Sequence, residues 1–117
     1  MGKLSTHILD TVHGGPAPNV AVELYAMDGP TPKLLVATRT NADGRTDVPL
    51  LQDAEVKRGR YRLVFHIGEH FRSTGITLPD PAFVDVVPID FGIAEDGGNY
   101  HVPLVCSPWT YSTYRGS

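Results

Sequence analysis

Three polar side chains stand out because each has a residue type that can take part in chemistry and an unusual position. His7 lies within an apolar run typical of a β-strand, His101 lies within a second such run, and Arg45 directly follows the turn signal Asp43-Gly44. The outer faces of sheets normally carry Lys, Glu and Thr. A histidine placed there is either incidental or positioned for proton transfer, because imidazole titrates near neutral pH.

The spacing of these residues does not by itself distinguish them from other sets. His66, Arg62 and Asp85 would form an equally good trio. His66 and His70 have the i,i+4 spacing that places two imidazoles on one face of a helix, as a pair of metal ligands requires. However, the segment lacks the H-E-x-x-H pattern, Gly68 weakens a helix there, and no third ligand is evident. We therefore expect no metal ion and no other cofactor.

Other catalytic patterns are missing from the sequence. It contains neither a Gly-rich phosphate loop nor a G-x-S-x-G nucleophile elbow. Its single cysteine, Cys106, excludes an internal disulfide bond. Because Cys106 follows an apolar run, we expect it to be a small core or interface residue rather than a nucleophile.

The bulk composition limits the kinds of partner. With 117 residues, we expect one domain spanning residues 1–117. Ten basic and 13 acidic residues give a net charge of −3, which argues against nucleic acid as a partner. No apolar run approaches the ~20 residues of a membrane span, and the first residues lack the apolar stretch of a signal peptide. We therefore expect a cytoplasmic protein that does not bind membranes.

Turn residues divide the chain into short segments. The 12 glycines and 10 prolines are scattered along it, which is typical of an all-β sandwich or barrel. Segment 68–76 breaks the alternation and predicts one or two helical turns that end at Gly75. Pro88 and Pro103 should lie on edge strands or at bulges, since proline cannot donate to a ladder. We predict seven to eight strands, at residues 4–10, 20–26, 33–40, around 47–50, 60–67, 82–93, 99–106 and 109–115.

The alternation of side chains assigns both candidate histidines to a sheet face. Successive side chains of a strand point to opposite faces. Within residues 4–10, His7 lies opposite the apolar side chains, and within residues 99–106 His101 does the same. If the apolar residues form the core of a sandwich, both histidines project from outer faces.

Three segments of the sequence together resemble one protein family. YHVPLVCSPWTYSTYRGS (100–117), THILDTVHGGPAPNVAVELY (6–25) and TNADGRT (40–46) are similar to the transthyretin-related family of 5-hydroxyisourate hydrolases, in the same order along the chain. The terminal Y-R-G-S is a highly specific signature that transthyretin itself lacks. EHFRSTG (69–75) falls where that fold carries its single short helix. The resemblance covers nearly the whole chain.

This resemblance implies a fold, an assembly and a reaction. The fold is an all-β, transthyretin-like sandwich of two four-stranded sheets with one short helix. Two subunits pair edge to edge, and two such dimers form a homotetramer around a central channel. The reaction is the hydrolysis of 5-hydroxyisourate, a small purine-derived substrate, to 2-oxo-4-hydroxy-4-carboxy-5-ureidoimidazoline on the path from urate to allantoin.

The resemblance also assigns functional residues. One of the two outer-face histidines would activate water, with a preference for His7, and the other would orient the substrate or protonate the leaving nitrogen. Arg45 would polarise the substrate, and Gly116 would permit a close backbone approach. The positions that match the family's motifs are catalytic His7, Arg45 and His101, and substrate-binding Tyr114, Arg115, Gly116 and Ser117.

Two functions of other classes remain to be separated from hydrolysis. A transthyretin-like carrier of a hydrophobic ligand would need an apolar channel, whereas the residues named above are polar or charged. A structural or adhesion domain would leave the terminal signature unexplained. Catalysed decay of 5-hydroxyisourate would distinguish the hydrolase from both.

Overall fold

Two β-sheets packed face to face form the protein, and the computed structural model describes residues 2–117. The single α-helix in this range connects two strands of one sheet, and a 3₁₀ turn occupies Asp53–Glu55. The elements in chain order are β1 (Lys3–Asp10), β2 (Gly15–Pro16), β3 (Ala21–Ala26), β4 (Lys33–Arg39), β5 (Leu51–Gln52), β6 (Gly59–His66), α1 (Ile67–Ser73), β7 (Val86–Ile93), β8 (Asn99–Cys106) and β9 (Tyr111–Thr113).

The first sheet has the strand order β2-β1-β8-β9, with β5 also paired to β1, and the second has the order β4-β3-β6-β7. All strand pairs are antiparallel except β1 and β8, which run parallel over their whole length. The predicted pair of four-stranded sheets is confirmed, with the two-residue strand β5 as an addition to the first. The parallel pair brings both candidate histidines into neighbouring strands.

The core lies between the inward faces of the sheets, as the alternation predicts. Leu4 and Ile8 of β1 are fully buried, and Leu104 of β8 is as well, whereas His7 and His101 on the opposite faces are partly exposed. Burying each large aliphatic or aromatic side chain contributes about 1.5–3 kcal/mol to stability. The inward residues therefore fix the direction in which the histidines point.

The helix α1 confirms the predicted helical turns at 68–76. Ile67 and Phe71, four residues apart, are completely buried on its inner face. The helix ends at Ser73, and Gly75 follows with φ of +92°, a left-handed conformation that favours glycine. His70 is also buried, and its Nε2 lies 2.9 Å from Oδ2 of Asp10 at the end of β1. The helix is thus tied to the first sheet by a buried polar contact.

The two strand prolines differ in their positions. Pro88 lies in the edge strand β7, as predicted. Pro103 lies in β8, between β1 and β9, and its ladder with β1 is regular, so the predicted edge or bulge is wrong. Its carbonyl oxygen faces β9 and accepts the Thr113 hydroxyl at 2.7 Å, so the missing N–H falls on that side. There the ladder breaks off and resumes only as the isolated bridge between His101 and Gly116.

Three segments differ from the prediction by two residues or more, and one of them, predicted at 109–115, is confined to Tyr111–Thr113. The strand predicted at 82–93 begins at Val86, and the short stretch around 47–50 is irregular, with β5 beginning at Leu51. Residues 82–85 bend instead, and the Asp85 carbonyl accepts the N–H groups of Ile67 and Gly68 at the start of α1. No helix within residues 2–117 is both long and apolar enough to cross a membrane.

Candidate active site

Strand β1 and the turn at 41–45 bring His7 and Arg45 together. The two residues form an isolated antiparallel bridge. Next to it, the Ile8 N–H donates to the Gly44 carbonyl at 2.9 Å. Gly44 has φ of +73°, and a Cβ at this position would lie 2.5 Å from the Ile8 carbonyl oxygen. Only glycine therefore fits this turn, which packs its backbone against β1.

Asn41 holds this turn in shape. Its Oδ1 accepts the N–H groups of Asp43 at 2.9 Å and Arg45 at 3.3 Å. Its own N–H donates to the Arg45 carbonyl at 2.7 Å. Asn side chains commonly bond to the backbone two residues further on, and this contact takes the place of a backbone hydrogen bond in a turn. The result is that the carbonyl of Asp43 faces His7.

The Asp43 carbonyl determines which ring nitrogen of His7 carries the proton. Nε2 of His7 lies 2.8 Å from this carbonyl oxygen. A carbonyl can only accept a hydrogen bond, so Nε2 carries the proton. In the neutral imidazole the proton-accepting nitrogen of His7 is therefore Nδ1.

His101 lies beside this pair on strand β8. Its register partner in β1 is Ser5, whose Oγ lies 2.8 Å from Nδ1 of His101. Partial burial lowers the pKa of His101 from 6.5, and the positive charge of Arg45 and the electrostatic effect of His7 lower it further. A hydrogen bond with the backbone of Ser5 acts in the opposite direction. His101 is therefore a neutral imidazole at physiological pH, ready to accept a proton.

The C-terminal tail, residues 114–117, runs antiparallel beside β8 and forms an isolated bridge with it at His101. The Gly116 N–H donates to the His101 carbonyl at 2.8 Å. A Cβ at Gly116 would lie 2.6 Å from Cδ2 of the His101 ring. Gly116 therefore allows the backbone to lie directly against the imidazole, and the exposed Ser117 follows it.

The other two tail residues lie on the opposite side of the sheet. The Arg115 guanidinium stacks 4.3 Å from the centre of the Tyr100 ring, and its Nη2 donates to the Asn99 carbonyl at 3.1 Å. Tyr100 points inward, away from His101. Tyr114 is exposed beside the same recess of ≈ 210 Å³ between β7 and β8. Within one chain, the structure gathers His101 with Gly116 but not with Arg115.

A second recess opens beside the histidines. It has a volume of ≈ 180 Å³ and lies between β1 and the chain from Arg45 to Pro49, with Lys3 and Ser5 on its β1 side. Lys3 also lowers the pKa of His101 through its charge. The two cations Lys3 and Arg45 line this recess together with Asp47, and such a lining suits a polar ligand rather than an apolar one.

The remaining histidines have partners elsewhere. Nε2 of His66 lies 3.3 Å from Glu23 on the outer face of the second sheet. His70 and His13 both contact the Asp10 carboxylate, at 2.9 and 2.6 Å. Within residues 2–117, no three His, Cys, Asp or Glu side chains are grouped as metal ligands would be. Cys106 is buried, as predicted, and burial with the nearby Asp10 charge raises the pKa of its thiol to about 12.

Comparison with known proteins places this site in a family. The family model described as "HIUase/Transthyretin family" matches residues 4–116. The chain belongs to the HIUase/Transthyretin family. This confirms the resemblance drawn from the terminal Y-R-G-S and the two other segments.

Individual proteins are similar over nearly the full length of this chain. "5-Hydroxyisourate hydrolase 2" of Rhizobium meliloti (strain 1021) is 52% identical over 116 residues, which are 99% of this chain and 97% of that protein. The structure of Klebsiella pneumoniae 5-hydroxyisourate hydrolase has 37% identity and a TM-score of 0.81, with 100% of both chains covered. The crystal structure of (S)-allantoin synthase has 40% identity and a TM-score of 0.93. It covers 99% of this chain, which spans only 44% of that longer protein.

Sequence reasoning missed three contributors to the site of this HIUase/Transthyretin family member. Asn41 could have been recognised, because Asn two residues before Asp43 is a turn signal. Ser5 lies on the same face of β1 as His7, but its contact with His101 depends on strand pairing that no local pattern reveals. The effect of Lys3 on the pKa of His101 depends on the same pairing of β1 with β8.

Proposed function

We propose that this protein hydrolyses 5-hydroxyisourate to 2-oxo-4-hydroxy-4-carboxy-5-ureidoimidazoline, in urate degradation, without a metal ion or other cofactor. The relatives named as 5-hydroxyisourate hydrolases support the substrate. The observation that carries the proposal is the environment of His101. This imidazole is kept neutral by burial and by Arg45, and the glycine of Y-R-G-S lies against its ring.

In this proposal, His101 is the general base. Water gives a proton to Nε2 of His101 while its oxygen attacks a ring carbonyl of the substrate. The ring C–N bond then breaks, and the same proton passes to the departing nitrogen, so His101 ends neutral. The lowered pKa of His101 keeps the ring neutral before the reaction, so that it can accept a proton, and makes the protonated ring a better donor to the departing nitrogen. We therefore propose His101 as the base, rather than His7, which the sequence had suggested.

His7 and Arg45 orient and polarise the substrate. With Nε2 of His7 held on the Asp43 carbonyl, its Nδ1 accepts a hydrogen bond from a substrate N–H group. The Arg45 guanidinium donates paired N–H groups to substrate carbonyls and stabilises the oxyanion as water attacks. In this scheme Gly116 and Ser117 border the substrate beside His101. Arg115 holds the tail in place through Tyr100 and Asn99, and Tyr114 lies exposed beside it.

A homotetramer, a dimer of dimers, would enclose this site. Both histidines lie on a sheet face that is only half-covered within one chain. Among the strands that the structure describes, β7 and β9 each lie at one edge of their sheet. Each would therefore be able to pair with a second copy of the chain. A second dimer laid over the first sheet would convert the open face into a water-excluding cleft.

Freshly generated 5-hydroxyisourate provides the test, because its decay can be followed by ultraviolet absorbance. The protein should accelerate decay in proportion to its concentration, and Arg45→Ala or His101→Asn should lower kcat/KM by about 10²–10⁴-fold. His66→Asn, on the outer face of the other sheet, is the matched control and should retain full activity. A carrier protein would leave the decay rate unchanged, which would overturn the proposal. Sedimentation equilibrium should give about four times the 12.7 kDa subunit mass.

A further inference from the structure

The hydroxyl group of Ser5 and the imidazole of His101 meet because β1 and β8 are parallel and in register. Ser5 is the Cα partner of His101 in this ladder. Its Oγ lies 2.8 Å from Nδ1 of His101, and within residues 2–117 it has no other hydrogen-bond partner. Among the described residues, the Ser5 hydroxyl therefore hydrogen-bonds to His101 alone.

Gly116 limits the ring of His101 from its other edge. The site of a Cβ on Gly116 is 2.6 Å from Cδ2 of His101, so the tail backbone packs against that carbon. Cδ2 and Nδ1 flank the same ring atom. A flipped ring would exchange them and leave the Ser5 hydroxyl facing a C–H group without its hydrogen bond. The contacts on both edges therefore select one ring orientation, in which Nε2 is left for a ligand.

We propose that Ser5 is a positioning residue for His101, whose Nδ1–H donates to the Ser5 hydroxyl oxygen so that Nε2 is the unprotonated nitrogen. Its catalytic meaning rests on the proposed hydrolase function. Neutral imidazole has one protonated and one free nitrogen, so the partner of Nδ1 decides what Nε2 can do. With Nδ1–H held by Ser5, Nε2 can accept the proton of water.

A serine suits this task because its hydroxyl is uncharged. When Nε2 takes up a proton, Nδ1–H stays on the Ser5 oxygen, and no reorientation is needed before the proton leaves again. A carboxylate in the same place would favour the imidazolium form and raise the pKa of His101. Instead, burial and the charge of Arg45 keep that pKa low, so the proton is readily passed to the leaving nitrogen.

The test compares Ser5→Ala, Ser5→Thr and the control Thr38→Val. Thr38 lies on β4 of the other sheet, and its hydroxyl makes no hydrogen bond to any residue in the range 2–117. ¹⁵N NMR reads the protonated nitrogen of His101 directly, with the signals assigned by their loss in His101→Gln. The wild type, Ser5→Thr and Thr38→Val should show the Nδ1–H form. Ser5→Ala should show increased Nε2 protonation.

Kinetics supply the second measurement. Ser5→Ala should lower kcat about 3–10-fold, the value of one hydrogen bond, with KM nearly unchanged. Ser5→Thr should restore kcat, because it keeps the hydroxyl. A purely structural role would instead lower the melting temperature and leave kcat per folded protein unchanged, which would overturn the proposal.

The NMR result separates this proposal from the proposed function. An Nε2–H form of His101 in the wild type overturns the positioning role even if the enzyme is active. This measurement needs only the wild type, so it tests the positioning role even if Ser5→Ala does not fold. The Nδ1–H form, lost in Ser5→Ala of a protein that leaves 5-hydroxyisourate decay unchanged, supports the positioning of His101 by Ser5 and overturns the hydrolase function. An unchanged His101 signal in folded Ser5→Ala also overturns the positioning role.

Discussion

Gly116 lies directly against the imidazole of His101, where the C-terminal tail runs beside β8. The Gly116 N–H donates to the His101 carbonyl at 2.8 Å, and an added Cβ would come within 2.6 Å of Cδ2. Real Cβ atoms do not approach other atoms this closely. The backbone at Gly116 and the ring of His101, the proposed base, therefore constrain each other's positions.

Gly116→Ala should lower kcat/KM by about 10–100-fold, because either the ring or the tail must move by a fraction of an ångström to an ångström. The melting temperature should change little, since the tail is exposed. Gly15→Ala is the control, because a Cβ there meets no atom within 4 Å. Equal activity of the two variants would show that the tail does not border the reacting groups.

Arg45→Gln should raise the pKa of His101. Burial is the largest cause of the lowered pKa and the charge of Arg45 is the next, so removing that charge should bring the value closer to 6.5. An NMR titration of the His101 ring measures the shift, and the acid limb of kcat/KM should move to higher pH. Lys3→Gln should produce a smaller shift, since Lys3 is the weakest of these causes. A pKa of His101 that falls in Arg45→Gln would contradict the electrostatic assignment.

Asp10→Asn should destabilise the fold strongly. The Asp10 carboxylate is buried and contacts buried His70 at 2.9 Å and His13 at 2.6 Å. Replacing the buried carboxylate leaves hydrogen-bond donors around it without their charged acceptor, at a cost of about 1–3 kcal/mol. Urea unfolding measures this loss. Asp90→Asn, which removes an exposed ion pair with Arg62, should cost far less, and a similar cost for both would contradict the structural role of Asp10.

The same carboxylate should contribute to acid sensitivity. Burial raises the pKa of Asp10, but hydrogen bonds from His70 and His13 outweigh it and leave the pKa below 3.8. The unfolded chain thus binds a proton more readily than the folded one. The stabilisation is fully present above pH 3.8 and is lost as pH falls through the lower folded value. The free energy of unfolding should therefore fall less steeply with acidification in Asp10→Asn than in the wild type.

Gly44→Ala should reduce both stability and activity. Gly44 has φ of +73°, and its Cβ would lie 2.5 Å from the Ile8 carbonyl, so the turn that carries Arg45 would move away from β1. Gly97→Ala is a matched control with φ of +70° and no atom within 4 Å of its Cβ. Both variants bear the cost of a left-handed alanine, about 1–2 kcal/mol. Only Gly44→Ala should also lower kcat/KM, and equal kinetics in the two would show that the turn does not position Arg45.

The strands and their faces were largely predictable, because they follow from local patterns. Alternation in residues 60–67 predicts inward Leu63 and Phe65, and both are fully buried. The helix around 68–76 was predictable from a broken alternation and from Gly75. Pro103 shows the limit of this approach. A proline is assigned to an edge by its missing N–H, yet β8 is interior because that N–H position faces a gap in the ladder with β9.

Much of the candidate site was predictable from its residues, but their partners were not. Arg45 could be selected only by the family resemblance, because its place after a turn did not distinguish it from other charged residues. The Asn41 contacts that shape this turn span only a few residues and were within reach of turn rules. In contrast, Ser5 and His101 are 96 positions apart, and Asp10 and His70 are 60 apart. No spacing rule relates residues over such distances.

The sequence by itself determined the period-2 strands, the outward direction of His7 and His101, and the family to which the chain belongs. These properties depend on neighbouring residues and on quoted motifs. Only the tertiary structure decided that β1 and β8 are parallel with Ser5 beside His101, that Gly116 closes on the same ring, and that Arg115 points to the opposite face. The physical reason is that strand register is set by the packing of the whole core, whereas alternation is set by the backbone of each strand.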